Sequence, residues 1–239
     1  MELDEYERMA TAETAHWWYG TTRSLLQELL GPHLTPGGRF LDAGGGTGAT
    51  GAWMGAIGQV VVADVEQLAL QLARRTHPEI RGAVADVSRL PFADGSFDAT
   101  LCVTVLCHEL VPDPAATVRE LARVTREGGI VCLMEPGVRR LRRAHDRVTH
   151  SARRFARRDL AALVSSSGLV PVRSTAAYSF LVPPAAVKAV LERGKVDSDI
   201  DRNEDGLHGL LPRLAHAERA LLRRMDLPVG LSVVAIGRR

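Results

Sequence analysis

The chain has 239 residues, of which 46% are hydrophobic and 24% are charged, and its formal net charge is +2. This composition excludes collagen, coiled coils and extensive disorder, and so small a net charge argues against a general nucleic-acid binder. One α/β core with additions fits the length better than two full domains, because a single core can grow to about 250 residues.

Two further features suggest where the protein works. No stretch reaches the roughly 18 consecutive apolar residues of a membrane-spanning helix, and the first five residues, MELDE, are acidic where a signal peptide is basic. The three cysteines, Cys102, Cys107 and Cys132, lie in apolar runs, and we expect them to be reduced core residues. These features predict a cytoplasmic protein.

The first 30 residues are predicted to be helical, because leucines recur at helical spacing before Gly31 and Pro32. Short apolar runs then alternate with helical segments as far as residue 136, which is typical of βαβ units around a parallel sheet. Strands are predicted at 39–43, 60–64, 82–86, 97–103 and 130–135, and helices at 48–57, 66–76 and 114–126.

The rest of the chain is predicted to cover this core and to close the sheet. Nine arginines and one acid, Asp146, lie between Arg139 and Arg158, so this segment carries +8 against −6 for the remainder of the chain. Helices are predicted for this Arg-rich segment and at 158–167, 183–193 and 212–224, with strands at 169–180 and 230–236. We therefore divide the chain into an N-terminal arm (1–30), an α/β core (31–136) and a cover with the closing strands of the same domain (137–239).

A glycine-rich turn after the first strand carries the clearest functional signal. Glycines let a ligand approach the main chain, and the start of the following helix offers free N–H groups. Two registers overlap here. The run from Gly46 to Gly51 matches G-x-G-x-x-G, which is typical of dinucleotide binding, whereas Asp42-x-Gly44-x-Gly46-x-Gly48 places a carboxylate before the turn.

The second register resembles motif I of the class I S-adenosylmethionine-dependent methyltransferases. Asp64 and Asp86, at the ends of the second and third predicted strands, and the passage from Leu90 to Asp98 are similar to the same family. The resemblance implies that Asp64 binds the ribose hydroxyls and that Asp86 binds the adenine amino group. It favours S-adenosylmethionine over a nicotinamide cofactor.

The N-terminal run from His16 to Tyr19, followed by Arg23, resembles the His-Trp-Trp-aromatic…Arg signature of a bacterial, type 11-like branch of these enzymes. This implies a doubly wound, Rossmann-like α/β fold. Its seven-stranded sheet has the order 3-2-1-4-5-7-6, with strand 7 antiparallel. The aromatic residues then close the pocket, or they simply dock the arm. Cofactor-binding residues implied by the resemblance are Trp18, Tyr19, Arg23, Asp42, Gly44, Gly45, Gly46, Gly48, Asp64, Val65, Asp86, Val87, Val103 and Thr104.

Methyl transfer requires a positioned acceptor and, for oxygen or nitrogen acceptors, a base with a pKa near neutrality. His108 follows the fourth strand and is the first candidate for this base. Alternatively, His108 only caps a helix or lines the cofactor pocket and never takes a proton. His145, His150 and Tyr178 are further candidates because they belong to the expected cover. The acidic segment 197–208 lacks the glycine and the final glutamate of a calcium loop, so we predict no metal site.

The sequence therefore predicts methyl transfer to a small-molecule or carrier-bound acceptor, with S-adenosylhomocysteine as product. Oxygen is the first expectation for the acceptor atom, and nitrogen and carbon are the alternatives. The Arg-rich segment either receives an anionic acceptor or faces solvent. We expect no nucleic-acid partner, no membrane span, and a monomer or homodimer. One alternative is a related protein that keeps the cofactor as structure and performs a reaction such as cyclisation. Another is a non-catalytic binding partner.

Overall fold

The computed structural model describes residues 10–13, 16–141, 146–147, 149–191 and 209–239. Its centre is a seven-stranded sheet of order β3-β2-β1-β4-β5-β7-β6, in which β7 runs antiparallel to β5 and β6. The other strand pairs are parallel. The strands are β1 (Arg39–Ala43), β2 (Gln59–Asp64), β3 (Arg81–Val84), β4 (Phe97–Val103), β5 (Thr125–Pro136), β6 (Val170–Ala177) and β7 (Ser232–Arg238). The predicted fold and strand order are confirmed.

Six helices have both ends within the described part of the chain, residues 10–13 and 146–147 are also helical, and three short 3-10 segments occur. The helices are α1 (Trp17–Leu30), α2 (Gln67–Thr76), α3 (Pro114–Val124), α4 (Arg157–Ser166), α5 (Val182–Leu191) and α6 (Leu210–Leu222). The 3-10 segments are Gly31–His33, Ala52–Ala56 and Ser179–Leu181. No helix among the described residues is long and apolar enough to cross a membrane.

The central strands are apolar on both faces because helices cover both sides of the sheet. Leu121 of α3 and Leu160 of α4 pack in one apolar layer, whereas Leu26 of α1, Leu70 of α2 and Leu222 of α6 pack in the other. Burial on two sides is typical of parallel sheets. The fold thereby leaves the carboxyl ends of β1 to β5 to carry the loops that form the site.

The helix predicted at 48–57 is wrong, and the helix predicted for the Arg-rich segment is wrong in part. Residues 48–57 form only the 3-10 segment Ala52–Ala56, because Gly48 has a φ of +82° and glycine is a poor helix former. In the Arg-rich segment, residues 146–147 are helical but residues 149–156 are not. Arg153 instead donates to the carbonyl of Val111 at 2.6 Å, so this stretch follows the loops beneath it rather than its own helical bonds.

Candidate functional site

A cleft of about 680 Å³ opens at the carboxyl ends of the central strands. Asp42 of β1, Asp64 of β2 and Thr104 after β4 all line it, together with Asp86 from the loop after β3. This volume lies within the range of small-molecule sites. The strand ends therefore bring the three predicted acids to one cavity.

Asp42 forms the floor of the cleft and is 1% exposed. Among the described residues neither of its carboxylate oxygens receives a hydrogen bond of good geometry. Burial, followed by the charges of Asp64 and Glu13, raises its pKa to about 7, and the Gly51 amide offsets this only in part. A buried carboxylate without a partner is costly, so this group is suited to a ligand that brings hydrogen-bond donors or positive charge.

The glycine turn wraps this carboxylate closely. A Cβ at Gly51 would lie 2.3 Å from Oδ2 of Asp42, and one at Gly45 would lie 2.7 Å from the same oxygen. Because Gly51 packs against a carboxylate and no α-helix follows Gly46, the dinucleotide register lacks the anion site that a pyrophosphate needs. The geometry favours the register that begins at Asp42.

Gly44 shows why the turn needs glycine. Its φ is +72°, and a Cβ there would lie 2.4 Å from a methyl carbon of Val105. Only glycine adopts this conformation without strain while allowing so close a contact. The turn is thus packed directly on the loop that follows β4.

Asp64 holds the same turn from the next strand. Its Oδ2 accepts the N–H of Gly46 at 2.9 Å, and its Oδ1 accepts the N–H of Glu66 at 2.9 Å. Burial raises its pKa, and these two hydrogen bonds oppose that shift. The side chain is therefore fixed at the edge of the cleft next to Val65, which is exposed.

Asp86 is exposed, and its Oδ1 accepts both the N–H and the hydroxyl of Ser88, at 2.8 and 2.7 Å. The loop that follows is fastened by Arg123, which donates to the carbonyls of Leu90 and Phe92 at 3.1 and 2.9 Å. Asp86 thus projects from a firmly held loop. Val87 and Val103, also predicted cofactor-binding residues, line the same cleft.

The N-terminal arm covers one side of the cleft. Trp18 and Tyr19 line it, and the nearby Tyr178 hydroxyl lies 2.9 Å from the hydroxyl of Thr22 in α1. Both predicted uses of the aromatic residues, lining the pocket and docking the arm, are therefore compatible with the structure. Arg23, also a predicted cofactor-binding residue, is not among the residues that line the cleft. It donates to the backbone carbonyl of Glu13 at 3.2 Å.

Glu13 lines the cleft but was not predicted from the sequence. It is 5% exposed, and the hydroxyl of Thr47 in the glycine turn donates to its Oε1 at 2.5 Å. Burial raises its pKa to about 7, although Thr47 and Arg23 oppose the shift. The start of the chain contains several acids, and no sequence feature distinguishes Glu13 from the others.

His108 lies at the far wall of the cleft, on the loop after β4. Its Nδ1 accepts the N–H of Leu110 at 3.1 Å. Burial and the nearby His150 lower its pKa. A neutral imidazole beside a cavity is suited to accept a proton.

A second unpredicted acid, Glu135 at the end of β5, organises that loop. It is fully buried, and its carboxylate accepts the N–H groups of Val105, Leu106 and Cys107 at 3.0, 2.8 and 3.0 Å. Burial raises its pKa to about 7, while these hydrogen bonds favour the ionised form. Glu135 could not be singled out from the sequence, because an acid at the end of an apolar run resembles any other strand end.

The remaining predicted catalytic residues occupy different surroundings. Nδ1 of His150 lies 2.9 Å from Oε1 of Glu109, and the two histidine rings of His108 and His150 are 6.0 Å apart. Tyr178 is 3% exposed, and burial raises the pKa of its hydroxyl, which contacts the arm. His145 and the acidic segment 197–208 lie outside the described residues.

Several described arginines of the Arg-rich segment contact other parts of the protein. Arg154 forms a two-point ion pair with Asp146, at 2.9 and 2.6 Å, and both side chains are almost fully buried beside the cleft. Arg139 pairs with Asp159 at 2.9 Å, and Arg157 donates to the carbonyl of Ser174 at 3.2 Å. These contacts indicate that the arginines stabilise the fold, and they do not favour a role in binding an anionic acceptor.

Other chemistry finds little support among the residues that the structure describes. They contain no group of three or more His, Cys, Asp or Glu side chains that could hold a metal ion. The three cysteines are buried and free, and burial raises the pKa of the Cys107 thiol well above its usual range. Such a thiol is a poor nucleophile.

Comparison with known proteins agrees with this geometry. Residues 41–133 match the family model described as a methyltransferase domain. A demethylmenaquinone methyltransferase of Beutenbergia cavernae is 39% identical over 102 residues, which cover 42% of this chain and 41% of that protein. The chain spans about half the length, or less, of the curated relatives that it matches.

Two solved structures share the fold. A chain from the complex between the Haloferax volcanii Trm112 methyltransferase activator and a methyltransferase has a TM-score of 0.64 and 18% identity, covering 98% of this chain and 97% of that one. Phosphoethanolamine N-methyltransferase 2 of Haemonchus contortus, solved with S-adenosyl-L-methionine, has a TM-score of 0.62 and 16% identity, covering 92% of this chain and 52% of that one. The fold is therefore the Rossmann-like class I methyltransferase fold.

Proposed function

We propose that this chain, which carries a methyltransferase domain over residues 41–133, binds S-adenosylmethionine in the cleft and transfers its methyl group to a small-molecule or carrier-bound acceptor. The observation that carries the proposal is the cleft floor, where the unpartnered, buried carboxylate of Asp42 lies inside a glycine turn. Asp64 and Asp86 open onto the same cavity. The domain and the site thus point to one reaction class.

The residues present fit this cofactor. Asp42 offers an unsatisfied acceptor to an ammonium group, and Gly45 and Gly51 let the backbone of the turn pack closely around that carboxylate. Asp64 is held with its carboxylate at the end of β2, where two neighbouring hydroxyls can donate to it. We assign the ribose to Asp64 and the adenine amino group to Asp86, with Val65, Val87, Val103 and the arm residues Trp18 and Tyr19 as the apolar walls.

When bound, the cofactor supplies an electrophilic methyl group on a sulfonium. The protein's task is then to align the acceptor and exclude water, since an in-line displacement depends chiefly on proximity. We propose that the arm (1–30) acts as a lid over the core (31–136), and that the cover (137–239) positions the acceptor. His108 accepts the proton that an oxygen or nitrogen acceptor releases, and His145, His150 and Tyr178 are second-rank candidates.

For the acceptor we propose a hydroxyl oxygen on a molecule with an apolar body. Leu110, Val111, Leu181 and Ala185 line the cleft, and Arg154, which also lines it, is paired with Asp146. Lys188 is a further cation of the lining. The apolar side chains favour an acceptor with an apolar body. Transfer to carbon is the second candidate, because several relatives are named demethylmenaquinone methyltransferase.

Calorimetry with S-adenosylmethionine, S-adenosylhomocysteine and NAD tests the cofactor. We expect micromolar binding of the first two, lost in Asp64→Ala and Asp86→Ala. Asp226→Ala, which removes an acid paired with Arg173 away from the cleft, should bind as the wild type does. Binding of NAD alone, or of none of the three, would contradict the proposal.

Turnover then separates the remaining alternatives. A methyltransferase releases S-adenosylhomocysteine as acceptor is consumed. A protein that keeps the cofactor as structure and performs a cyclisation changes its substrate without that release. A non-catalytic binding partner does neither. Screening apolar hydroxylated acceptors for S-adenosylhomocysteine release therefore decides among the three.

A further inference from the structure

One contact links the N-terminal arm to the floor of the cleft. Glu13, in the helical residues 10–13 of the arm, reaches the glycine turn and accepts the hydroxyl of Thr47 at its Oε1. Its second oxygen, Oε2, has no hydrogen bond within the described part of the chain. The side chain is nearly buried and belongs to the lining of the cleft.

The charges around this contact are unbalanced. The negative charges of Asp64 and Glu13 both raise the pKa of Asp42, so three carboxylates share this part of the cleft. Among the described residues no cationic side chain forms an ion pair with either Glu13 or Asp42. Arg23 acts on Glu13, but its guanidinium donates to the backbone carbonyl of that residue and not to the carboxylate.

Asp42 provides an independent sign that a ligand belongs here. Its carboxylate is 1% exposed, lines the cleft, and leaves both oxygens without partners in the described structure. A primary ammonium group has three N–H donors and a compact charge, so it can serve two carboxylates at once. A sulfonium has no such donors.

We propose that Glu13 is a further cofactor-binding residue, which together with Asp42 receives the ammonium group of the cofactor's amino-acid portion. This inference rests on the proposed function. Because Glu13 belongs to the arm and Asp42 to β1, the ammonium group joins the lid to the core. Binding the amino-acid end and closing the arm are then one event.

The variant Glu13→Gln tests this directly. Glutamine keeps an acceptor for the Thr47 hydroxyl and removes only the negative charge. The two probes are S-adenosylhomocysteine and 5′-methylthioadenosine, which share the nucleoside and the thioether but differ in the amino-acid portion. Glu127→Gln, at an exposed position on β5, serves as the matched control.

We expect Glu13→Gln to weaken S-adenosylhomocysteine binding about tenfold or more, as for the loss of a charge-assisted hydrogen bond, and to change methylthioadenosine binding less than about twofold. Asp42→Asn should show the same selectivity, and Glu127→Gln should resemble the wild type. In hydrogen exchange, S-adenosylhomocysteine should protect residues 10–30 of the wild type more than methylthioadenosine does. Glu13→Gln should remove that difference.

Other outcomes have distinct meanings. If Glu13→Gln binds both probes as the wild type does, or weakens both equally, Glu13 only docks the arm and the inference is overturned while the proposed function stands. If the wild type binds neither probe, the proposed function itself fails, and this assignment fails with it.

Discussion

The carboxylate of Glu135 accepts the backbone N–H of Cys107 at 3.0 Å, and Cys107 is the residue immediately before His108. A strand end in the middle of the sheet therefore fixes the position of the proposed base. The hydrogen bonds to Val105 and Leu106 hold the same loop from one side chain. Glu135 acts through the loop, as a positioning residue, and does not line the cleft.

Replacing Glu135 with Gln should loosen this loop. An amide nitrogen would face the N–H of Cys107 or of its two neighbours, leaving buried donors unpaired at a cost of about 1–3 kcal/mol in unfolding free energy. We expect kcat to fall further than the affinity for S-adenosylhomocysteine, because the loop carries the base and not the main cofactor contacts. Urea unfolding and steady-state kinetics measure the two effects. Equal losses in Glu127→Gln would show that the effect is not specific to the loop.

His108→Gln should lower kcat by about 10² to 10⁴, the usual contribution of a general base, and leave cofactor affinity within about twofold. Since burial and His150 lower the pKa of His108, the wild-type rate should fall only at a pH below the range of an ordinary histidine. The pH dependence of kcat checks this. If the variant keeps full activity and the same loss of rate at low pH as the wild type, His108 is not the general base.

Asp42 should make stability depend on pH in a particular direction. Its pKa of about 7 in the fold exceeds the ordinary value of 3.8, so between these values the folded state keeps a proton that the unfolded state loses. The free energy of unfolding therefore falls as pH rises through this window, by at most about 1.4 kcal/mol per pH unit for this group.

Urea unfolding from pH 4 to pH 8 measures the slope. Asp42→Asn lacks the titrating group and should show a flatter profile, with a gain in stability that is largest above pH 7. Asp226→Asn, at a partly exposed ion pair, should keep the wild-type slope. Parallel profiles for wild type and Asp42→Asn would mean that Asp42 does not titrate in this window.

The pair formed by Arg154 and Asp146 should be sensitive to the loss of one partner. Their side chains are 6% and 4% exposed, so Arg154→Met removes a cation paired with a buried carboxylate and should cost about 3–5 kcal/mol. The double variant Arg154→Met, Asp146→Leu should recover much of that loss. Arg158→Met, at an exposed position, should change stability little. Thermal unfolding of the four proteins provides the comparison.

The parts of this site that could be predicted from the sequence are those set by strand ends. Asp42, Asp64 and Asp86 lie at or just after the ends of three apolar runs. Because parallel strands have their carboxyl ends at one edge of the sheet, the local sequence pattern was enough to predict that these acids lie close together. Glu13 and Glu135 could not be found this way. Glu13 is one of several acids in the arm, and nothing in the sequence distinguishes it. Glu135 lies at the end of β5, and it reaches the loop after β4 only because β4 and β5 pair in the sheet.

Residues 48–57 and 149–156 were predicted to be helical, and their different conformations have a related cause. The spacing of apolar residues after Gly48 allowed a helix, but the turn is shaped by the carboxylate of Asp42 beneath it and by positive φ angles. In the Arg-rich segment the helix propensity of arginine was outweighed by contacts with carbonyl groups distant in sequence, such as that of Val111. Tertiary contacts routinely override such propensities.

The place of β7 in the sheet has a consequence for how the molecule is assembled. This strand comes after β6 in the chain yet lies between β5 and β6. Each of those two strands therefore has an unpaired edge during folding until residues 232–238 pair with it. Such open edges are slow to close, because distant segments must meet, and they invite pairing with other chains meanwhile. Shortening or weakening β7 should therefore lower the yield of folded protein through aggregation even where the cleft is untouched.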